Sequence, residues 1–115
     1  MDSKECVKIV VEGLQDKKAN DIHIIDIREI STMGDYFIIA DGSNRNQVQA
    51  LSDSVEQVLS DAGVKLKNRE GYANGGWILL DYYDIIIHIF SEEERSFYDL
   101  EHIWRDGKHI HVGDL

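Results

Sequence analysis

The chain has no proline, a single cysteine and no run of about 18 apolar residues. The missing apolar run excludes a membrane-spanning helix. A single cysteine cannot form an internal disulfide, so we expect a reducing compartment, by default the cytoplasm. The first ten residues lack a basic stretch followed by an apolar block, and we therefore predict no signal peptide. In the absence of proline, Gly, Asn, Asp and Ser must mark the ends of helices and strands.

Basic side chains are scarce relative to acidic ones. Twelve Lys and Arg stand against 22 Asp and Glu, which gives a formal net charge of −10. Phosphate backbones repel such a surface, because affinity for nucleic acid rests mainly on cations that displace counterions. An acidic surface attracts a basic partner instead, although acidity also serves solubility alone. We expect a basic macromolecular partner, with no membrane binding and no sequence-specific nucleic-acid binding.

The remaining composition predicts one folded domain over residues 1–115. With 43% hydrophobic and 30% charged side chains, the chain is globular rather than disordered. Hydrophobic spacings of three and four predict three helices. The first covers residues 2–18, the second begins after a cap at 42–44 and ends at Gly63, and the third covers 91–104. Alternating or β-branched runs predict strands over 23–30, 35–41, 76–83 and 85–90, with 108–112 as a candidate edge strand. Residues 64–75 are predicted as a short strand or coil followed by a loop. The fold class is therefore α/β (α+β), a single mixed sheet with helices packed on it.

A Gly-Ser turn at residues 41–43 leads from a predicted strand into a helix. Nucleotidyltransferases use such a turn to hold a triphosphate on free backbone N–H groups. They also need two carboxylates, one residue apart on a following strand, to hold magnesium. Here Asp81 and Asp84 lie three apart across a bend, which is a poor match. We interpret the turn as helix capping and predict no catalytic residue, metal or cofactor; nucleotide binding or nucleotidyl transfer remains the alternative.

The histidines and the cysteine give weaker patterns. His109 and His111 alternate, with His102 nearby, but zinc needs three or four ligands of fixed geometry, so surface positions are favoured. Cys6 lacks a neighbouring histidine motif and is predicted in the core or on a helix surface. His88 interrupts an Ile-rich strand, so it is either a hydrogen-bonded core residue or a polar contact on a functional face.

Residues 77–98 carry the most informative pattern. The strand period of two places Trp77, Leu79 and Asp81 on one face, together with His88 and Phe90 of the next strand. Unpaired polar groups are costly in a core, so we expect this side of the sheet to lack helices. Aromatic anchors with a few charges are typical of the centre of a protein interface. The predicted partner-binding residues are Trp77, Leu79, Asp81, His88, Phe90, Arg95 and Tyr98. The alternative is a second core layer that covers this side.

Several spaced blocks of sequence match one family pattern. They are DYFIIADGS at 35–43, NQVQAL at 46–51, Gly71 before GWILLD at 76–81, IHIF at 87–90, and Arg95-x-x-Tyr98-x-Leu100-Glu101-x-x-Trp104. Together they extend over nearly the whole chain, and they closely resemble the ribosomal silencing factor (Iojap-like) family.

The resemblance implies a nucleotidyltransferase-like fold that lacks the catalytic carboxylates, and hence no enzyme activity. It implies binding to the L-fourteen-type protein of the large ribosomal subunit, which hinders joining of the small subunit and represses translation when nutrients are scarce. It also implies a homodimer off the ribosome, and large-subunit assembly as an alternative role. Among the contacts, Asp81 and the acidic run 92–94 are expected to face the cations of the partner.

Overall fold

The computed structural model describes residues 2–29, 32, 34–97 and 107–115, with the backbone alone at 95–97. Its helices are α1 (Ser3–Asp16), α2 (Arg45–Asp61) and α3 (Glu92–Phe97), and a 3₁₀ turn spans Val112–Asp114. Its strands are β1 (Asn20–Asp26), β2 (Tyr36–Gly42), β3 (Asn68–Glu70), β4 (Trp77–Asp81), β5 (Ile85–Ser91) and β6 (Lys108–Ile110). The predicted order of elements is confirmed, with β3 inside the segment predicted as strand or coil.

All six described strands belong to one sheet, in the order β3-β4-β5-β2-β1-β6. The pair β2 and β5 is parallel, and every other neighbouring pair is antiparallel. The predicted class, a mixed sheet with helices packed on it, is therefore confirmed.

Side-chain caps define where the two long helices begin. The Asp2 Oδ1 atom accepts from the backbone N–H of Glu5 at 2.8 Å, so Asp2 caps α1. The Asn44 Oδ1 atom accepts from the N–H of Gln47 at 2.9 Å and caps α2, as the 42–44 turn predicts. Within the part that the structure describes, no helix has the length and apolarity needed to cross a membrane.

The main core lies between the sheet and the helices α1 and α2. These helices supply apolar side chains at spacings of three and four, and the sheet supplies the alternate residues of its strands. Its fully buried members include Val10, Leu14, Val48, Leu51, Val55, Leu59, Ile38, Ile78, Leu80, Ile87 and Ile89. Each such side chain contributes roughly 1.5–3 kcal/mol through burial. Ile78 and Leu80, which alternate with Trp77, Leu79 and Asp81 along β4, point toward the helices.

The opposite side of the sheet has a buried cluster of its own. Its members are Ile25, Ile27, Phe37, Ile39, Ile86 and Phe90, with Trp77 and Leu79 packed against it. The expectation of an open side is therefore wrong at the centre of the sheet. The reason is that β2 and β5 are internal strands with apolar residues on both faces, and every residue of the two strands is buried.

The predicted bounds of the first strand differ most from those in the structure. The first strand begins at Asn20 rather than 23, through a register irregularity between Asn20 and His23, where Asp21 has a φ of 49°. It ends at Asp26, although the N–H of Ile27 still bonds the carbonyl of Asp35 at 2.9 Å. The predicted extension of the last helix to 104 lies outside the described residues.

Candidate protein-binding site

The side chains of Trp77, Leu79 and Asp81 form a line along β4, hereafter the β4 row. They alternate with the buried Ile78 and Leu80, and each is partly exposed on the side away from α1 and α2. Strand parity predicted this grouping, and the structure brings the three side chains together. The β4 row is one strand from the sheet edge, because only the short β3 lies beyond it.

The floor beneath the β4 row is aromatic and buried. The register pairs Trp77 with Phe90 and Leu79 with His88 on the same face. The Trp77 and Phe90 rings stack with centroids 5.1 Å apart, and the Phe37 ring meets His88 edge-on at 5.1 Å. His88 is 5% exposed and Phe90 0%. The expectation that these two lie open to a partner is wrong; they pack under Trp77 and Leu79.

His88 is hydrogen-bonded within this floor. The indole Nε1–H of Trp77 donates to the His88 Nδ1 atom at 3.1 Å. Burial lowers the pKa of His88 to about 4, so the ring is neutral at neutral pH. Because Nδ1 accepts a hydrogen bond, the single ring proton is on Nε2. Of the two alternatives for His88, the structure supports the hydrogen-bonded core residue.

We expect the stability of the fold to decrease as the pH falls from about 6.5 to about 4. The unfolded histidine binds a proton near pH 6.5, whereas the buried one does so only near pH 4. Acid therefore favours the unfolded chain in this window, and the stabilisation is fully present above it. Between about pH 7.5 and pH 5, the free energy of unfolding should fall by about 2 kcal/mol from this group. Urea unfolding across the window measures the decrease.

The control for this prediction is His88→Leu, which has no titrating ring. Its stability should change less over the same pH range. Because the carboxylates titrate in both proteins, the difference between the two plots of stability against pH gives the contribution of His88. Two parallel curves would show that His88 does not titrate in this way.

The Asp81 carboxylate already has two neighbours in its own chain. Its Oδ1 atom accepts from the backbone N–H of Tyr83 at 2.9 Å, and Tyr83 has a φ of 71° in the tight turn to β5. Its Oδ2 atom lies 4.0 Å from the Nζ atom of Lys67, which also lies 5.4 Å from the centre of the Tyr83 ring. Asp81 thus stabilises the turn, and Lys67 partly screens its charge.

A second acidic group lies at the other end of the β4 row. The Ser91 Oγ atom accepts from the N–H of Glu94 at 3.3 Å, as expected for the predicted helix start. Glu94 lies close to Gly76, immediately before Trp77. Glu92 accepts a hydrogen bond from Asn20, and Glu93 is exposed. An acidic side chain therefore lies near each end of β4.

Two predicted contacts fall where the structure gives no side-chain description. The backbone of Arg95 lies in α3, whereas its side chain is outside the described atoms. Tyr98 lies outside the described residues, and so does His102. The partner-binding roles of Arg95 and Tyr98 stay predictions.

The Gly-Ser turn is arranged for capping. The side chain of Gln47 accepts from the N–H of Ser43, which uses a backbone donor that a phosphate would need. A depression of about 400 Å³ beside it is lined by Ser43, Asn44, Arg45, Asn46, Ser91 and Glu93. The carboxylate of Glu93 opposes anion binding there. Among the residues described, no group of three His, Cys, Asp or Glu is suited to hold a metal ion.

The minor candidates lie where the sequence predicts. His109 and His111 are exposed near the end of the chain, and Cys6 is buried in the main core. Sequence reasoning missed Lys67 and Tyr83, although Tyr83 is 58% exposed. Lys67 reaches Asp81 because β3 pairs with β4, with Asn68 opposite Asp81. No local sequence signal shows that pairing.

Comparison with known proteins places the chain in a family. The family model described as "ribosomal silencing factor during starvation" (RsfS) matches residues 1–115. A Bacillus subtilis protein named ribosomal silencing factor RsfS is 37% identical over 106 residues, which are 92% of this chain and 90% of the relative. A Halalkalibacterium halodurans protein of the same name is 32% identical over 112 residues, covering 97% of this chain and 96% of the relative.

A solved structure agrees with these sequence matches. The crystal structure of a protein from Chromobacterium violaceum has a TM-score of 0.89 and 34% sequence identity, and the match covers 91% of this chain and 88% of that one. Both named relatives are called ribosomal silencing factors, which is the name of a regulatory role. The chain is a member of the RsfS family of ribosomal silencing factors.

Proposed function

We propose that this protein represses translation by binding the large ribosomal subunit through its L-fourteen-type protein and blocking the small subunit. The repression acts in the cytoplasm and chiefly when nutrients are limiting. The observation that carries the proposal is the β4 row, an aromatic and aliphatic surface on a strand with an acidic side chain near each of its ends. Membership of a family named for ribosome silencing during starvation supports it.

The mechanism is steric exclusion and needs no chemical step. The principal extents of the molecule are 33 × 32 × 26 Å. A body of that size, bound on the face that meets the small subunit, occupies volume that the second subunit needs. Since the interaction only has to prevent docking, no catalytic residue, metal or cofactor takes part.

The partner chemistry follows from the charge of the protein and of the site. A protein with a formal net charge of −10 is repelled by ribosomal RNA and attracted to a basic protein on the ribosome surface. Trp77 and Leu79 supply apolar contact area at the centre of the row. Asp81 and Glu94, at its two ends, bind cations at the rim, where charge sets orientation and association rate more than affinity.

A subunit-joining assay tests the function. Purified protein is incubated with isolated large or small subunits, the other subunit is added, and joined ribosomes are quantified on a sucrose gradient. We expect fewer joined ribosomes after preincubation with large subunits and co-sedimentation with them alone. Unchanged joining at saturating protein would refute the blocking mechanism, and no co-sedimentation would refute the partner.

The charge at the end of the β4 row gives a paired prediction. Asp81→Asn removes the charge but keeps an oxygen to accept from Tyr83, so we expect weaker binding by about three- to tenfold with an intact fold. Lys67→Met removes the screening cation, so it should strengthen binding by a few-fold. Association kinetics with large subunits at low and high salt measure both changes.

Glu12→Gln is the matched control for Asp81→Asn, because it removes one charge from an exposed position on α1. We expect it to leave binding almost unchanged. Equal effects of the two substitutions would assign the result to net charge rather than to the β4 row.

The alternative of nucleotide binding is tested by calorimetry with nucleoside triphosphates and magnesium. We expect no binding heat, because Ser43 is engaged by Gln47 and Glu93 borders the turn. A magnesium-dependent affinity for nucleotides, together with no ribosome binding, would favour nucleotide binding over ribosome silencing as the function.

The proposal includes a homodimer in the absence of the ribosome, as the family resemblance implies. Light scattering over a dilution series should show dimers that dissociate to monomers. Repeating the series with the ribosomal partner shows whether dimer and complex compete for one surface.

A further inference from the structure

The position of His88 is unusual for a polar side chain. The ring lies in an apolar floor, edge-on to Phe37 and at 6.2 Å from the parallel ring of Phe90. It is buried, with 5% of its surface exposed. A side chain in such a place normally has every polar atom hydrogen-bonded, because an unpaired group retains its desolvation penalty.

Only one of the two ring nitrogens of His88 is satisfied. The Nδ1 atom accepts from the indole of Trp77 at 3.1 Å. The Nε2 atom is buried and, within the described part of the chain, has no hydrogen-bond partner. The net stability from one neutral hydrogen bond is small, and one orphaned buried donor costs about as much or more. For stability alone, leucine would serve at least as well at this position.

We therefore expect that a histidine at position 88 benefits the orientation of Trp77 rather than the stability of the fold. The indole is partly exposed in the β4 row and stacks on Phe90 over one of its faces. Stacking alone restricts the two side-chain torsions of Trp77 less than a directed hydrogen bond does. The bond to Nδ1 fixes the edge of the indole, so the anchor is held in one orientation before a partner arrives. Such preorganisation reduces the ordering cost of binding.

We propose that His88 is a positioning residue whose Nδ1 atom holds the Trp77 indole in its docking orientation, while its Nε2 atom stays unpaired. The inference rests on the proposed function, since the large ribosomal subunit is the partner that the indole meets. His88 itself makes no contact with that partner.

Two substitutions separate positioning from stability. His88→Leu keeps a similar volume but has no acceptor, so we expect unchanged or higher stability and about three- to tenfold weaker binding to isolated large subunits. His88→Asn places an amide oxygen near the former Nδ1 position but leaves a small void. We expect it to be less stable and to bind within about twofold of the unmodified protein. Binding that follows stability in both variants would overturn the proposal.

A double-mutant cycle tests the specific bond. Trp77→Phe removes the indole N–H, and its effect on binding should be smaller in the His88→Leu protein than in the unmodified one, because the bond is already absent. Equal fold-changes in both backgrounds would show that the two residues act independently.

A measurement without the ribosome addresses orientation directly. In a Trp104→Phe background, the remaining indole N–H signal in a ¹⁵N-correlated NMR spectrum belongs to Trp77. We expect His88→Leu to shift this signal and to speed its exchange with solvent, whereas His88→Asn preserves both properties. An unchanged signal in His88→Leu contradicts the positioning role. If the unmodified protein fails to bind large subunits, the proposed function fails and the docking role with it, while this spectrum still decides whether His88 orients the indole.

Discussion

Replacing Trp77 with alanine should weaken binding to the large ribosomal subunit by about 100-fold, which corresponds to about 2.7 kcal/mol. Trp77 is the largest side chain of the β4 row and stacks on the buried ring of Phe90. Truncation removes the apolar contact area at the centre of the site and opens a gap above the aromatic floor. A partly exposed aromatic on a packed floor, with charge at the rim, is the usual setting of an interface hot spot. Co-sedimentation at increasing protein concentration, or surface binding kinetics, measures the loss.

Tyr72→Ala is the matched control for this substitution. Tyr72 is also a partly buried aromatic, but it contacts Arg69 and donates to Asp53 of α2 at 3.0 Å, so it lies away from the β4 row. We expect the control to retain binding within about twofold, with both variants folded by circular dichroism. A Trp77→Ala protein that is folded and binds normally would remove the β4 row from the proposed docking surface.

Substitution of Gly71 with alanine should lower the free energy of unfolding by about 3 kcal/mol or more. Gly71 has a φ of 83°, and a Cβ atom there would lie directly against the backbone carbonyl oxygen of Trp77. Neither strain nor overlap can be relieved by a side-chain rotation, because the obstructing atom belongs to the backbone of β4. The start of β4 must therefore move, and the β4 row with it, so we also expect weaker ribosome binding.

Gly63→Ala separates the two contributions. Gly63 has the same φ of 83°, but an added Cβ atom would meet nothing within 4 Å. This variant carries only the left-handed backbone strain of about 1 kcal/mol and should bind normally. Urea unfolding of the two variants under one condition gives the comparison. Equal losses of stability would mean that contact with Trp77 is unimportant at Gly71.

Local patterns predicted most of the elements correctly. The spacing of Val10, Leu14, Leu51 and Val55 identified the helix faces that form the main core. The period of two placed Trp77, Leu79 and Asp81 together, because successive side chains of any strand point to opposite sides. The start of the first strand was misplaced, since the irregular register near Asp21 depends on pairing with β2.

The candidate site was predicted only in part. The sequence grouped His88 and Phe90 with the β4 row, and this grouping agrees with the strand register. It could not show that both are buried, because burial depends on what the rest of the chain places over them. Nor could it show that Lys67 lies beside Asp81, since that proximity comes from the pairing of β3 with β4.

By itself, the sequence determined the order of helices and strands, the face to which each strand residue points and the acidic character of the protein. These properties depend on periodicity and composition, which are local or additive. Only the tertiary structure decided that the far side of the sheet holds a second buried cluster and that His88 bonds Trp77. Both follow from the alignment of separate strands, where the contacts of a side chain are set by residues distant in the chain.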